Sequence, residues 1–159
     1  MPTAPDHRAF FVVVPMFNEA RGLRVTLDAL ADQSDRAFTL VLVDNGSTDD
    51  SVAIARAFAR EHPTLRMHLV VEQQKGTGAA ADTGFRVAIT LGAQWIARTD
   101  ADCLPDREWI RNLRRAFTEH ELEFVAGVIR PREDEGTLTS WDRLMLRSMI
   151  WIAERYGRL

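Results

Sequence analysis

Two aspartates one residue apart, Asp100 and Asp102, are the residues of this sequence best placed to bind a cation. They follow a short apolar run at 95–97, and side chains two apart in an extended strand point the same way. Both carboxylates can therefore face one point beyond the end of a strand, where open α/β sheets bind ligands. Neighbouring carboxylates repel unless a cation lies between them, and such oxygen ligands suit Mg²⁺ or Mn²⁺. The pattern predicts a metal site for a phosphate-bearing substrate, with an exposed acidic turn as the alternative.

Composition narrows the class of protein. A chain of 159 residues, 46% hydrophobic and 27% charged, is typical of one globular domain. The net charge of -3 argues against a nucleic-acid partner bound through excess positive charge. Cys103 is the only cysteine, so an internal disulfide is excluded, and no apolar run reaches the ~18 residues that span a bilayer. We therefore expect a cytoplasmic protein.

Apolar runs and amphipathic stripes alternate along the chain and predict the elements that position the aspartates. Strands are predicted at 10–15, 38–43, 65–71, 94–98 and 123–129, with a helix after each of the first four. The first two runs are almost wholly apolar, as in strands buried on both faces. The alternation predicts an α/β fold, with a mainly parallel sheet and helices on both of its faces.

Polar loops follow the first, second and fourth predicted strands, and a parallel sheet brings such loops to one edge. The first loop offers Asn18 and Glu19, and the second offers Asp44 and the turn at 45–50. The aspartate pair is the contribution of the fourth. Helices that begin beside these loops point N–H groups toward an anion. One edge thus combines carboxylates for a metal, donors for phosphate and an acceptor for a nucleobase or ribose.

The motifs at 12–19, 43–49, 76–84 and 100–102, in this order, resemble the glycosyltransferases of family 2. The resemblance covers residues 10–130 and implies a GT-A fold, the nucleotide-binding α/β domain of that family. It implies Asp102 as ligand of Mg²⁺ or Mn²⁺, with Asp100 on the metal or on ribose. The expected nucleotide-sugar-binding residues are Pro15, Phe17, Asn18, Glu19, Asp44, Ser47, Asp49, Lys75 and Asp100.

Lys75 is included in this set because it could replace an arginine that relatives carry. Relatives often carry an Arg before the glycine of the third helix, where this chain has Asp82 and Thr83 before Gly84. Lys75 and Arg86 could supply the missing charge to a phosphate, and solvated charges are the alternative for both.

The implied reaction is a metal-dependent, inverting transfer of a sugar from a nucleoside-diphosphate sugar to an unknown hydroxyl acceptor. Inverting members need a carboxylate base well beyond the paired aspartates, and the acidic run at 133–135 lies too early. No base is assigned, and we expect negligible transfer by this chain alone. The alternatives are a non-catalytic nucleotide-sugar-binding or interaction module and, more remotely, an NAD(P)-binding Rossmann protein. The glycines at 76 and 78 disfavour the latter, because they follow the third strand instead of the first.

The domain organisation follows from these elements. Residues 1–9 are predicted to form an extension and residues 10–136 the nucleotide-sugar-binding core, the N-terminal portion of a family member. Residues 137–159 are predicted to form an amphipathic helix that begins an otherwise missing acceptor region. Its wide apolar surface and its arginines predict contact with a second subunit or with the cytoplasmic face of a membrane.

Overall fold

Four strands and four helices alternate over residues 10–119, the part of the chain that the computed structural model describes. The predicted α/β alternation is confirmed there, and no end of the four described strands differs from its prediction by more than one residue. The predicted strand at 123–129, the residues before 10 and the helix after 137 lie outside the described residues. The elements are β1 (Phe10–Met16), α1 (Leu23–Ala31), β2 (Thr39–Asp44), α2 (Ser51–Glu61), β3 (Arg66–Val71), α3 (Thr77–Thr90), β4 (Trp95–Arg98) and α4 (Trp109–Glu119).

The sheet is parallel throughout, with the strand order β3-β2-β1-β4. The chain moves outward from β1 to β3 and then returns to the other side of β1. Loops after β1 and β4 consequently diverge from the carboxyl ends of neighbouring strands. Such a reversal of strand order leaves a crevice, and this is where α/β sheets bind ligands.

Helices cover both faces of the sheet because βαβ crossovers are right-handed. The outward crossovers place α1 and α2 on one face, where they contact each other, and the return places α3 on the opposite face. There, Ala80 and Ala88 of α3 pack against Phe11 and Val13 of β1 and against two valines of β2. Every residue of β1 and β2 is buried, as the apolar runs predicted, whereas exposed and half-buried residues alternate in the first half of β3.

One compact unit of the chain extends to Arg115, and a second begins at Ala116. The first unit contains the whole four-stranded sheet. Within residues 10–119, no helix is long and apolar enough to cross a membrane.

Gly84 allows α3 to lie directly on the sheet. A Cβ atom at this position would overlap a methyl group of Val13 and would lie 3.1 Å from Cγ2 of Val43. Both valines are fully buried in the centre of the sheet, so neither can move toward solvent. The close approach of α3 therefore depends on the missing side chain.

We predict that Gly84→Ala lowers the free energy of unfolding by about 1–3 kcal/mol, the usual cost of overpacking a core. The matched control is Gly78→Ala in the same helix, where an added Cβ meets nothing within 4 Å. Alanine favours helix, so this control should leave stability unchanged or raise it by up to about 1 kcal/mol. Urea unfolding of the full chain measures both. Equal effects of the two substitutions would contradict this account of the packing.

Candidate functional site

A pocket with a volume of about 280 Å³ opens at the carboxyl ends of β1 and β4. It lies at the reversal of strand order, and the loops after β1, β2 and β4 and the start of α3 all contribute to it. Its lining consists of Pro15, Met16, Phe17, Glu19, Asn45, Thr77, Ala80, Asp100, Ala101 and Asp102.

The loop after β1 is fastened to the loop after β2 by Asn18. Its backbone has φ of 55°, a left-handed conformation that asparagine tolerates better than most residues. The backbone N–H of Asn18 donates to Oγ of Ser47 at 3.0 Å. In return, the backbone N–H of Thr48 donates to the side-chain Oδ1 of Asn18 at 2.8 Å. The turn after β1 is thereby held in one conformation.

Asp49 provides a second connection between the same loops. Its Oδ2 accepts from the Ala20 amide at 3.0 Å, and its Oδ1 accepts from the amide and hydroxyl of Ser51. The hydrogen bond from the Ser51 hydroxyl is the main cause of the lowered pKa of Asp49. Oγ of Ser51 also accepts from the Glu19 amide at 2.8 Å. Asp49 thus uses both carboxylate oxygens within the protein.

Asn45 joins the loops after β1, β2 and β3. Its backbone amide donates to the carbonyl of Met16 at 2.9 Å. Its Nδ2 donates to the carbonyls of Glu72 and Gln74, at 3.0 and 2.7 Å, and its Oδ1 accepts from the Gly76 amide at 2.8 Å. Only 4% of its surface is exposed. The sequence predicts a turn at 45–50 and offers no local signal for this role of Asn45.

Asp44 is the last residue of β2 and lies beside Met16 of β1 in the register of the sheet. It is 5% exposed, and its Oδ1 accepts from the Ser47 amide at 3.0 Å. This is the one hydrogen bond that its carboxylate accepts from the described residues. The second carboxylate oxygen of Asp44, Oδ2, is therefore the one that could accept a hydrogen bond from a ligand.

The loop of the paired aspartates is seated on α1. Oγ1 of Thr26, which is fully buried, lies 2.8 Å from the carbonyl oxygen of Ala101 and 2.6 Å from that of Cys103. A Cβ at Gly22 would come within 3.3 Å of Cα of Asp102, so this glycine permits the close approach. These contacts fix the backbone on both sides of Asp102 and leave its side chain exposed.

Three carboxylates crowd the pocket. The pKa of Glu19 is raised by burial first and then by repulsion from Asp102, Asp49 and Asp100, in that order. Arg98 offsets part of this charge, because its Nη2 lies 3.0 Å from Oδ1 of Asp100. An excess of negative charge remains around Glu19 and Asp102, and a cation would relieve it.

The donor set suits a cation that keeps other ligands. Within residues 10–119, no group of three His, Cys, Asp or Glu side chains forms a ready metal site. Mg²⁺ is commonly held by one or two carboxylates together with waters and substrate phosphates, so a complete protein cage is not required. Asp102, alone or together with Asp100, therefore fits a hard divalent cation that arrives with a phosphate-bearing ligand.

The structure brings together five of the predicted site residues in the lining of the pocket, namely Pro15, Phe17, Glu19, Asp100 and Asp102. The other predicted residues lie outside the lining: Asp44 ends β2, and the surrounding loops contain Asn18, Ser47, Asp49 and Lys75. Five further lining residues are not among those predicted from the sequence, namely Met16, Asn45, Thr77, Ala80 and Ala101.

Comparison with known proteins gives concordant matches. Residues 11–159 match the family described as Glycosyl transferase family 2. Glycosyltransferase AglE of Haloferax volcanii is 32% identical over 118 residues, which are 73% of this chain and 38% of the relative. A PGL/p-HBAD biosynthesis glycosyltransferase of Mycobacterium bovis is 30% identical over 145 residues, 89% of this chain and 56% of the relative. The chain thus spans between about a third and just over half of the length of these relatives.

Solved structures share the fold. The mannosyltransferase PcManGT from Pyrobaculum calidifontis, in complex with GDP-Man and Mn²⁺, matches with a TM-score of 0.68 and 31% identity. The match covers 83% of this chain and 39% of PcManGT. TarS of S. aureus matches with a TM-score of 0.63 over 78% of this chain and 38% of the TarS chain, and its 22% identity supports the fold alone. These neighbours confirm the predicted GT-A type of fold.

We predict that Asn45→Ala lowers the free energy of unfolding by about 2–3 kcal/mol, because it removes three hydrogen bonds and leaves their partners unpaired. Asn112→Ala, on the exposed face of α4, is the matched control and should change stability by less than about 0.5 kcal/mol. Urea unfolding of the full chain tests both. If Asn45→Ala proves no worse than the control, Asn45 does not hold the loops together.

Proposed function

Because the chain belongs to glycosyltransferase family 2, we propose that it binds a nucleoside-diphosphate sugar in the crevice between β1 and β4. We propose further that the whole protein transfers this sugar, with inversion and in a metal-dependent reaction, to a hydroxyl acceptor. PcManGT, which is 31% identical and was solved with GDP-Man and Mn²⁺, supports a donor and a metal of these classes.

The observation that carries the proposal is the presence of three carboxylates, those of Glu19, Asp100 and Asp102, in the lining of one pocket. Adjacent carboxylates are costly for a protein to hold unless they serve a cation. We assign Asp102 as the first metal ligand and Asp100 as the second. When bound, Mg²⁺ or Mn²⁺ would offset the negative charge that develops on a departing nucleoside diphosphate.

The nucleoside end of the donor is assigned to the loops after β1 and β2. Phe17 is 48% exposed and lines the pocket, so its ring offers a surface on which a nucleobase can stack. Asp44 offers Oδ2 as acceptor for an N–H of the base or a hydroxyl of the ribose. Asn18, Ser47 and Asp49 keep these groups in place through the hydrogen bonds between the two loops.

In the proposed reaction, an acceptor hydroxyl oxygen bonds to the anomeric carbon of the sugar while the bond from that carbon to the diphosphate breaks. The proton of the hydroxyl passes to a carboxylate base. We assign no residue of 10–119 to that base. The chain's described residues contribute binding and orientation of the donor, and orientation of reacting atoms is itself a large part of catalysis.

The alternative is a module that binds a nucleotide sugar without transferring it. The two functions share the donor pocket, and a transfer assay with added acceptors separates them. Only a transferase releases free nucleoside diphosphate in step with new glycoside.

The composition alone supports our proposal that the protein works in the cytoplasm. Contact of residues 137–159 with a membrane surface or with a second subunit remains a prediction outside the described residues.

We predict that Mn²⁺ strengthens binding of UDP or GDP to the full chain. We also predict that Asp102→Asn lowers the affinity for the nucleotide in the presence of Mn²⁺ by at least about tenfold. The substitution keeps the shape of the side chain and removes a charge that repels the diphosphate, so metal-free binding should not weaken. Calorimetric titration of each nucleotide with and without Mn²⁺ provides the measurement.

Asp32→Asn is the matched control, because Asp32 is an exposed carboxylate just past the far end of α1. It should bind nucleotide and Mn²⁺ as the unmodified chain does. The donor-site proposal is wrong if neither nucleotide binds better with metal, or if Asp102→Asn behaves like this control.

A further inference from the structure

Lys75, the only lysine of the sequence, directs its charge into the loops around the pocket. Its Nζ lies 3.1 Å from the carbonyl oxygen of Asn45 and 3.3 Å from that of Gly46. The same Nζ lies 4.6 Å from the centroid of the Phe17 ring, inside the ~6 Å range of cation–π attraction. Lys75 does not line the pocket itself.

These contacts give the ammonium group partners within the protein. A lysine has three N–H donors and no acceptor, and here two carbonyl oxygens and one aromatic ring lie close to them. The neighbouring Gly76 amide donates to Oδ1 of Asn45 at 2.8 Å, which holds the backbone of Lys75 in register with the loop after β2. Lys75 therefore links the loops after β1, β2 and β3.

Gly46 shows that this arrangement is built into the turn. Its φ of +78° favours glycine, and a Cβ at this position would lie 2.9 Å from Nζ of Lys75. A side chain at Gly46 would force the flexible end of Lys75 to shift. The turn thus provides the space that the lysine occupies.

Phe17 needs such a support. Its ring lies past the end of β1, is 48% exposed and lines the pocket, so the sheet does not hold it in place. Ordering an exposed side chain at the moment of binding costs affinity, and a ring ordered beforehand avoids that cost. A cation attracted to the ring provides this order.

We propose that Lys75 is a positioning residue that holds the Phe17 ring in the orientation that stacks on the nucleobase of the donor, and that it contacts no phosphate. The inference rests on the proposed function, in which Phe17 contacts the base. It replaces the expectation that Lys75 binds phosphate with a role transmitted through an aromatic ring.

The two roles of Lys75 make opposite predictions for ligands without a base. A phosphate-binding lysine would strengthen binding of inorganic pyrophosphate and of a nucleoside diphosphate alike. A lysine that orients Phe17 would strengthen only the ligand that carries a nucleobase. Titration of the full chain with pyrophosphate, UDP and GDP, all with Mn²⁺, therefore separates them.

We expect Lys75→Met to weaken binding of the better nucleotide by about five- to tenfold and to change pyrophosphate binding by less than about twofold. Lys75→Arg, which keeps the charge and can still lie over the ring, should retain most of the affinity. In a chain that already carries Phe17→Leu, Lys75→Met should cause little further loss, because its effect passes through the ring.

Arg60→Met is the control for net charge, because Arg60 is an exposed cation in the last turn of α2, away from the pocket. It should change all three affinities by less than about twofold, since distant exposed charges are screened by salt. An equal loss of pyrophosphate and nucleotide affinity in Lys75→Met would assign the lysine to phosphate and overturn the proposal. Unchanged affinities in that variant would overturn it as well.

A spectroscopic measurement tests the contact without any nucleotide. Reductive ¹³C-methylation keeps the charge of the amine and labels only one side chain, because the sequence contains one lysine. Its methyl signal, identified by its loss in Lys75→Met, should be shifted upfield by the Phe17 ring and should return to an ordinary position in Phe17→Leu. No shift would overturn the proposed contact, whereas a shift in a protein that binds no nucleotide would leave the contact standing and reject the donor site.

Discussion

Burial of β1 is the constraint on which the rest of the molecule depends. The strand is covered on both faces and pairs with β2 on one edge and β4 on the other, so it has no surface left for solvent. Polar side chains are costly within it, because a buried polar atom needs a hydrogen-bond partner. They are confined to the loops at its ends, and the reversal of strand order beside it opens the crevice. The same packing that stabilises the sheet therefore locates the pocket.

The sheet determines where the loops begin, and short polar side chains determine their shape. Thr26, Asn18, Asn45 and Asp49 each bond to backbone groups of another loop. A backbone carbonyl or amide occupied in this way cannot rotate toward solvent without losing its partner. Groups that a ligand would meet are consequently held before it arrives, which is what a binding site on loops requires. The same role explains why most of these polar side chains make hydrogen bonds within the protein.

Local pattern in the sequence predicted the elements well, because strand and helix periods are properties of consecutive residues. It also predicted that Asp44 and Asp100 lie at one edge, because parallel strands have their carboxyl ends on the same side of a sheet. It could not predict contacts such as those of Asn45 with Gly76 or of Lys75 with Gly46, which join residues about thirty positions apart. The helix α4 starts at Trp109, after a turn in which Oδ1 of Asp106 accepts from the Glu108 amide.

The charges of the pocket distinguish the two aspartates that the sequence presents as equivalent. Oδ1 of Asp100 already accepts from Arg98, so its carboxylate is partly neutralised and has one oxygen committed. Among the described residues, Asp102 accepts only from the weak Sγ donor of Cys103, at 3.8 Å, and pairs with no guanidinium. An incoming cation gains more from the carboxylate whose charge is less compensated. This asymmetry supports Asp102 as the principal ligand of the proposed metal and leaves Asp100 with one oxygen for the metal or for ribose.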